Sequence, residues 1–435
     1  MVSHSSIHDS TTTPKTVILA PKRADRGGLV EQVERLMEQT AVLSISPCGC
    51  STAEFLGLPY YGKECMFAPG KEALTTREYA RIDQEGNLIV HPTYIFPGEE
   101  GWLGSGWAAR VMDNQNPLTD RQDFYTGFVY GKNVQNGSFV STTDAMGKDY
   151  VIVSHRSHIV PAIHIDFENL AILQQLFTER ELRDSDIEYV CIGSNNSGFP
   201  RRIEIPPLQG VDLNSLIELV KGNVRTNDPD NGLEKELNLL LELQRHSRGF
   251  YVPSGIESGA SQPHPHDRVV SLPILPKWVK DCYESAEQHA SINGDSFYDF
   301  LKKSGFVIEE YDRFVLATDP VPDLSGGLLI LSKSKHNIVE MGKDELRELG
   351  RMRKIGRVLQ EIAYGGIPSN DYAVQTFDRH VATYPNTRFT MYLVPRKNVP
   401  AFLELGTKIS GIDTNPRILA AQMIDLKQYL NGYII

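Results

Sequence analysis

A chain of 435 residues with a formal net charge of −11 is long enough for two ordinary domains, each able to bury its own core, and its 40% hydrophobic and 23% charged residues are the composition of a globular protein. The acidic balance argues against a nucleic acid or an anionic membrane as main partner, since both need clustered Lys and Arg, whereas a small anionic ligand needs only a few local cations. No apolar run reaches the roughly 20 residues of a membrane span, the start MVSHSSIHDSTTTPK has no apolar signal core, and five cysteines do not make a disulfide framework, so a cytoplasmic protein is expected.

In chain order, residues 1–15 are Ser/Thr-rich and are expected to be disordered. Val30, Val33, Leu36 and Met37 then have helical spacing. The β-prone run AVLSIS leads into Cys48 and Cys50, a candidate metal pair, while Cys191 and Cys282 read as buried thiols. The stretch from there to Gly101 is rich in Gly, Pro and Tyr, which points to strands and long loops. GWAARVMDNQNPLTD, residues 106–120, reads as an edge strand followed by an Asn-rich turn.

An internal repeat follows. YVIVSHRSH, residues 150–158, is echoed by LLILSKSKH, residues 328–336, so that Ser154 aligns with Ser332 and His158 with His336. Each copy is a strand, a short link and an amphipathic helix. The apolar stripe is Phe167, Leu170, Leu173, Leu176 and Phe177 in the first, and Leu346, Leu349, Met352, Ile355, Leu359 and Ile362 in the second. The repeat predicts two related α+β halves. Residues 197–248 interrupt the first half with two helical patterns, near Leu213–Lys221 and Leu233–His246, joined by NDPDNG. A lid, an oligomer contact such as a homodimer interface, or a solvated hairpin without a role would each account for them.

The stretch GIESGASQPHPHDRVVSLPILP, residues 255–276, carries the densest chemistry. In an extended chain His264, His266 and Arg268 project from one face, while Pro265, Asp267 and Val269 point the other way. Gly255, Gly259, Ala260 and Ser261 upstream suit a turn whose backbone N–H groups approach an anion. His-x-His alone is weak evidence and fits a surface strand with two incidental histidines; the Gly-rich entry, both prolines and the apolar run that follows weigh against that reading.

GASQPHPHDRVV resembles the active-site signature G-x-S-x-P-H-P-H-G-Q of the galactose-1-phosphate uridylyltransferase branch of the histidine-triad superfamily. The match holds up to His266; Asp267 then stands for Gly, and Arg268 for Gln. The resemblance implies an α+β fold of two HIT-like halves, each an antiparallel sheet with a long helix, the catalytic one spanning 16–280 and the non-catalytic one 281–435. In the second half the corresponding strand is TRFTMYLVP, residues 387–395, which has no histidine, and no further metal site is expected there. His266 is the expected nucleophile, because a neutral imidazole attacks phosphorus readily at pH 7. Arg268, Ser261 and the backbone near Gly259 would stabilise the phosphoryl oxygens.

The same resemblance extends to other segments. GWAARVMDNQNPLTD resembles the motif W-x-x-R-V-x-x-N-x-x-P, which would set Asn114 against the ribose or base with Asn116 beside it. PAFLELGTKISG resembles the hexose-binding segment, with Glu404 in place and Ser410 where the usual Gln would be. A structural zinc would be held by Cys48, Cys50, His158 and His264, although the family spacing C-x-x-C is C-x-C here and Cys65 could replace one ligand. The expected activity is transfer of a nucleoside monophosphate from a nucleotide-sugar or nucleoside triphosphate to a phosphorylated acceptor through a nucleotidyl-histidine. Phosphorolysis or hydrolysis of a nucleotide-sugar or dinucleoside polyphosphate, and nucleotide binding without turnover, are the alternatives.

Overall fold

Fifteen short runs of alternating or continuously apolar residues form strands. The computed structural model describes residues 17–19, 66–67, 69–114, 147–156, 162, 165–196, 201–203, 250–252, 264–322, 324–364, 369–396, 410–412 and 414–430. Within them the strands are β1 (Val17–Leu19), β2 (Glu78–Asp83), β3 (Leu88–Ile95), β4 (Trp107–Asp113), β5 (Asp149–Val153), β6 (Tyr189–Asn196), β7 (Arg201–Ile203), β8 (Phe250–Val252), β9 (His266–Leu272), β10 (Val307–Glu310), β11 (Phe314–Thr318), β12 (Leu328–Ser332), β13 (Ser369–Val374), β14 (Thr390–Pro395) and β15 (Ser410–Ile412).

Eleven of these make one sheet in the order β10-β11-β12-β14-β13-β6-β9-β5-β4-β2-β3, antiparallel at every pairing. β1 pairs with β15 in parallel, and β7 with β8 antiparallel, in two small separate sheets. The chain is therefore an α+β protein built on a large antiparallel sheet, as expected.

The strand order contains the same path twice. β4, β5, helix α1 (Phe167–Leu182), β6 and β9 are laid out as β4-β5-β9-β6, and β11, β12, helix α4 (Lys343–Tyr364), β13 and β14 as β11-β12-β14-β13. The two runs meet where β6 pairs with β13, from Ser369 opposite Asn196 to Tyr372 opposite Gly193. The strand expected over 387–395 forms as Thr390–Pro395, shorter than read from sequence.

Both helices bury the stripes that their sequences carry. Phe167, Leu170, Leu173 and Phe177 of α1, and Leu346, Leu349, Met352, Ile355 and Leu359 of α4, lie in one core with Ile152, Val190, Ile192 and Val269 from the sheet. Asp166 caps α1 by accepting from the Asn169 N–H. Where α4 meets the start of α1, a Cβ on Gly350 would lie 2.6 Å from the Glu168 Cα, so only glycine permits this approach. On the opposite face, α3 (Phe297–Lys303), which follows α2 (Lys277–Asn293), sets Leu301, Phe297 and Phe300 against Val315, Ala317, Leu329 and Leu331. The last helix is α5 (Pro416–Leu430). Among the described residues no helix is long and apolar enough to cross a membrane. The helical pattern around Val30–Met37 and those of 213–221 and 233–246 lie outside the described residues.

Candidate active site

β9 is held between β5 and β6, with Val153 opposite His266, Val151 opposite Arg268 and Gly193 opposite Arg268 on the other side. Pleating then separates its side chains as the alternation predicts. Val269 joins the core under α1 and α4, and Asp267 reaches groups on both helices. His266 and Arg268 face away from those helices. His266 lies on the side of a small cluster of Phe67, Trp107, Met112, Val151 and Val153, its ring 5.9 Å from that of Phe67.

His266 is buried, and its Nδ1 lies 2.8 Å from the carbonyl oxygen of His264. A carbonyl can only accept, so Nδ1 carries the proton and Nε2 keeps the lone pair, as a nucleophile toward phosphorus requires. Burial, the largest effect, holds the imidazole below its ordinary pKa; the Arg268 cation acts in the same direction, and the bond to His264 opposes them. The ring is thus neutral at pH 7. His264, also buried, has its ring edge-on to Phe67 at 6.0 Å, and its Nε2–H donates to the backbone carbonyl of His155.

Arg268 is committed along one edge. Its Nε donates to Asp149 Oδ1 at 3.1 Å, and Nη2 donates to Asp149 Oδ2. Asp149 is fully buried at the start of β5 and also receives the Asn114 side-chain amide at 3.1 Å, while its backbone carbonyl accepts the Asn114 N–H. Asn114, Asp149 and Arg268 therefore form one hydrogen-bonded row on His266's face of the sheet. Sequence reading named Asn114 and Arg268 but missed Asp149. The ion pair depends on cross-strand register, which no local motif encodes.

Beneath His266, on the helix side, lies a buried charge network that sequence reading also missed. Arg353 of α4 donates from Nη1 to Asp267 Oδ2 at 2.6 Å, from Nε to Asp371 Oδ2 at 3.0 Å and from Nη2 to Ser194 Oγ at 3.1 Å. Gln174 of α1 adds a 2.8 Å bond to Asp267. Burial pushes the Asp267 carboxyl up, against the opposing pull of Arg353. Asp267 is thus held on the helix side by Arg353 of α4 and Gln174 of α1.

A second buried cation, Arg110, lies opposite Val153 and so on the same face as His266. Its guanidinium sits over the Trp107 ring, 5.2 Å from centroid, and 3.6 Å from Glu78, and among the described residues its N–H groups meet no hydrogen-bond partner within normal distance. It is the Arg of the W-x-x-R motif, so a signal was present.

Ser261, Gly259, Asn116, Glu404, Cys48, Cys50, Cys65 and His158 lie outside the described residues. Among the described residues no group of three or more His, Cys, Asp or Glu is placed to hold a metal ion. His264, the one expected zinc ligand described, fits the role in one respect: with Nε2–H given to a carbonyl, Nδ1 is the ring's lone-pair nitrogen, the arrangement common for metal-bound histidine.

Fold and site together give a continuous antiparallel sheet with its long helices on one face and a His-Pro-His strand near its middle. No family model matches the sequence, and no curated protein matches it. Solved structures do match. An ADP-glucose phosphorylase from Arabidopsis thaliana with bound ADP-glucose has TM-score 0.58 at 15% identity, over 94% of this chain and 95% of that one. A GalT-like protein from Arabidopsis thaliana has TM-score 0.55 at 16% identity, over 83% and 92%. A uridylyltransferase has TM-score 0.52 at 14% identity, over 81% and 99%. The chain thus has the fold of the group that its GASQPHPHDRVV segment resembles.

Proposed function

We propose that this chain is a nucleotidyltransferase working through a nucleotidyl-His266 intermediate. The observation that carries the reading is the 2.8 Å bond between His266 Nδ1 and the His264 carbonyl, which leaves Nε2 as the nucleophilic nitrogen. In the first half-reaction the Nε2 lone pair attacks the α-phosphorus of a nucleotide-sugar or nucleoside triphosphate. A P–N bond forms, and the P–O bond to the sugar phosphate or pyrophosphate breaks with its electron pair. Nδ1–H stays on the ring and shares the resulting positive charge with the His264 carbonyl. In the second, an oxygen of a phosphorylated acceptor attacks phosphorus and imidazole leaves neutral.

Catalysis on this reading is positioning and charge stabilisation. Arg268, oriented by Asp149, offers the N–H groups not given to the carboxylate; Ser261 and the backbone near Gly259 add donors. Asn114 and Asn116 hold the nucleoside, and Glu404 the acceptor sugar. Zinc bound by Cys48, Cys50, His158 and His264 would supply cross-linking of the N-terminal segment to the catalytic strand and no chemical step. The halves 16–280 and 281–435, changing over within α2, are proposed to be copies of one HIT-like unit; the repeated strand path supports this. The likeness to an ADP-glucose phosphorylase over nearly the whole chain favours inorganic phosphate as a second class of acceptor.

The test is incubation with α-labelled nucleotides. Acid-labile, base-stable label on His266 is expected, and none in His266→Ala. Absence of label with every nucleotide, alongside measurable nucleotide binding, would leave a binding protein.

A further inference from the structure

Among the described residues, the face of the sheet that carries His266 has a half-buried strip along its middle. From β9 across the joint to β14, Arg268, Gly193, Asn195, Asn370, Tyr372 and Tyr392 on that face are half-buried, bounded on the same face by buried His266, Val270, Val374, Thr390 and Val394 and by Asp149, Val151 and Val153 of β5. Register links the strip: Arg268 is opposite Gly193, Gly193 opposite Tyr372, and Tyr372 opposite Tyr392. Gly193 offers no side chain between the phosphate-side cation and the tyrosines. With strands about 4.8 Å apart, Tyr372 lies roughly 10 Å from Arg268 along the sheet.

At that end stands an aromatic corner. The rings of Tyr372 and Tyr392 stack 5.3 Å apart at 24°. Trp278, at the start of α2, stands edge-on to both at 5.6 and 6.1 Å and keeps 36% of its surface exposed. Between the corner and His266, Asn370 donates its side-chain amide to the Asn195 side-chain oxygen at 2.7 Å, which fixes two neutral amides on the floor. Beyond Arg268 the strip has no charged residue among these positions.

We propose that Trp278, Tyr372 and Tyr392 form the subsite for the sugar ring of a nucleotide-sugar, on the opposite side of His266 from Asn114. The inference rests on the nucleotidyl-transfer reading and names where its leaving group binds. A pyranose presents an apolar C–H face and a rim of hydroxyls. The exposed Trp278 ring and the half-buried tyrosine pair suit the face, and side-chain amides suit the rim. A strip without charge beyond Arg268 selects a neutral ring over a further phosphate. The diphosphate would lie over His266 and Arg268, with the nucleoside toward Asn114 and the sugar across Gly193 toward the second half.

The experiment titrates the full-length protein with ADP-glucose and UDP-glucose, and with ADP and UDP, by calorimetry and by tryptophan fluorescence. Trp278→Phe identifies the reporter among the three tryptophans. Trp278→Ala and Tyr392→Ala are each expected to weaken the nucleotide-sugar that binds at least tenfold and to leave the matching nucleoside diphosphate within twofold. Equal nucleotide-sugar affinity in wild type and in Trp278→Ala of unchanged melting temperature overturns the subsite, as does failure of both nucleotide-sugars to bind. Labelling of His266 in those cases keeps the transfer reading. Sugar-dependent binding lost in Trp278→Ala, with no label on His266, keeps the subsite and removes the transfer reading.

Discussion

Arg353→Met tests whether the second half holds the catalytic strand in place. The substitution keeps an unbranched apolar stem reaching about as far as Arg Nε but removes the cation from between Asp267 and Asp371, both almost fully buried, together with the bond to Ser194 and the stacking of the guanidinium on Phe167 at 4.7 Å. Breaking a buried pair on one side costs about 3–5 kcal/mol, because the remaining charge has no partner. Here, among the described residues, Asp267 keeps only the Gln174 amide and Asp371 only Arg357 at 3.9 Å, so a loss within that range is expected, a large share of a typical total of about 5–15 kcal/mol.

The pH dependence follows from the Asp267 shift. Its carboxyl is already pushed up by burial, and Arg353 is what opposes that push. Without Arg353 the folded-state pKa rises further above the unfolded value, so the folded state binds more protons. Stability of the variant then recovers as pH falls below the raised pKa and is lost as pH rises through it. Urea denaturation at pH 5 and pH 8 should show the smaller deficit at pH 5. Arg353→Met combined with Asp267→Asn and Asp371→Asn should regain most of the loss at pH 8. A deficit under about 1 kcal/mol, or one that does not change with pH, would refute the account.

His266→Ala should abolish turnover and labelling while the melting curve moves little, and unchanged turnover would remove covalent catalysis by this residue. Arg268→Gln should slow both half-reactions by about two to three powers of ten, read by single-turnover kinetics. Because Arg268 also depresses the His266 pKa while Asp149 raises it, the acid limb of the rate profile should move to higher pH in that variant, and an unmoved limb together with unchanged rates would place Arg268 outside the reaction. If Cys48, Cys50, His158 and His264 hold zinc, elemental analysis of protein purified without chelator should find about one equivalent, and chelation should lower the melting temperature more than it slows label transfer; metal-free protein of full stability would dispose of the site.

Legibility in the sequence followed the range of the forces involved. Strand alternation placed His266 and Arg268 on one face and Asp267 on the other, and helical periodicity gave the buried stripes of α1 and α4, because both are local consequences of backbone geometry. Cross-strand partners were not legible. Asp149 meets Arg268, and Arg353 meets Asp267, only once β5, β9, β13 and α4 are in register, and a pattern of single residues holds no record of that register. The repeat marked β5 and β12 as counterparts but could not say that β6 and β13 would pair and run the two parts into one sheet.

That pairing gives β13 and α4 a physical part in holding β9 in place. In the matched strand order β14 takes the place of β9, and the residue opposite Leu331, where the first half has His266 opposite Val153, is Thr390. The position corresponding to Arg268 is Tyr392, opposite Leu329 as Arg268 is opposite Val151. In matched register Tyr392 thus stands where Arg268 does, and α4 supplies Arg353 to Asp267, next to His266. A fragment ending before β13 would lose the partner of the β6 edge and leave Asp267 buried without its cation. It should therefore fail to fold to a labelling-competent state, even though it contains every residue of the His-Pro-His strand. A soluble 16–280 fragment that acquired label on His266 at the full-length rate would show that the second half is dispensable to the chemistry.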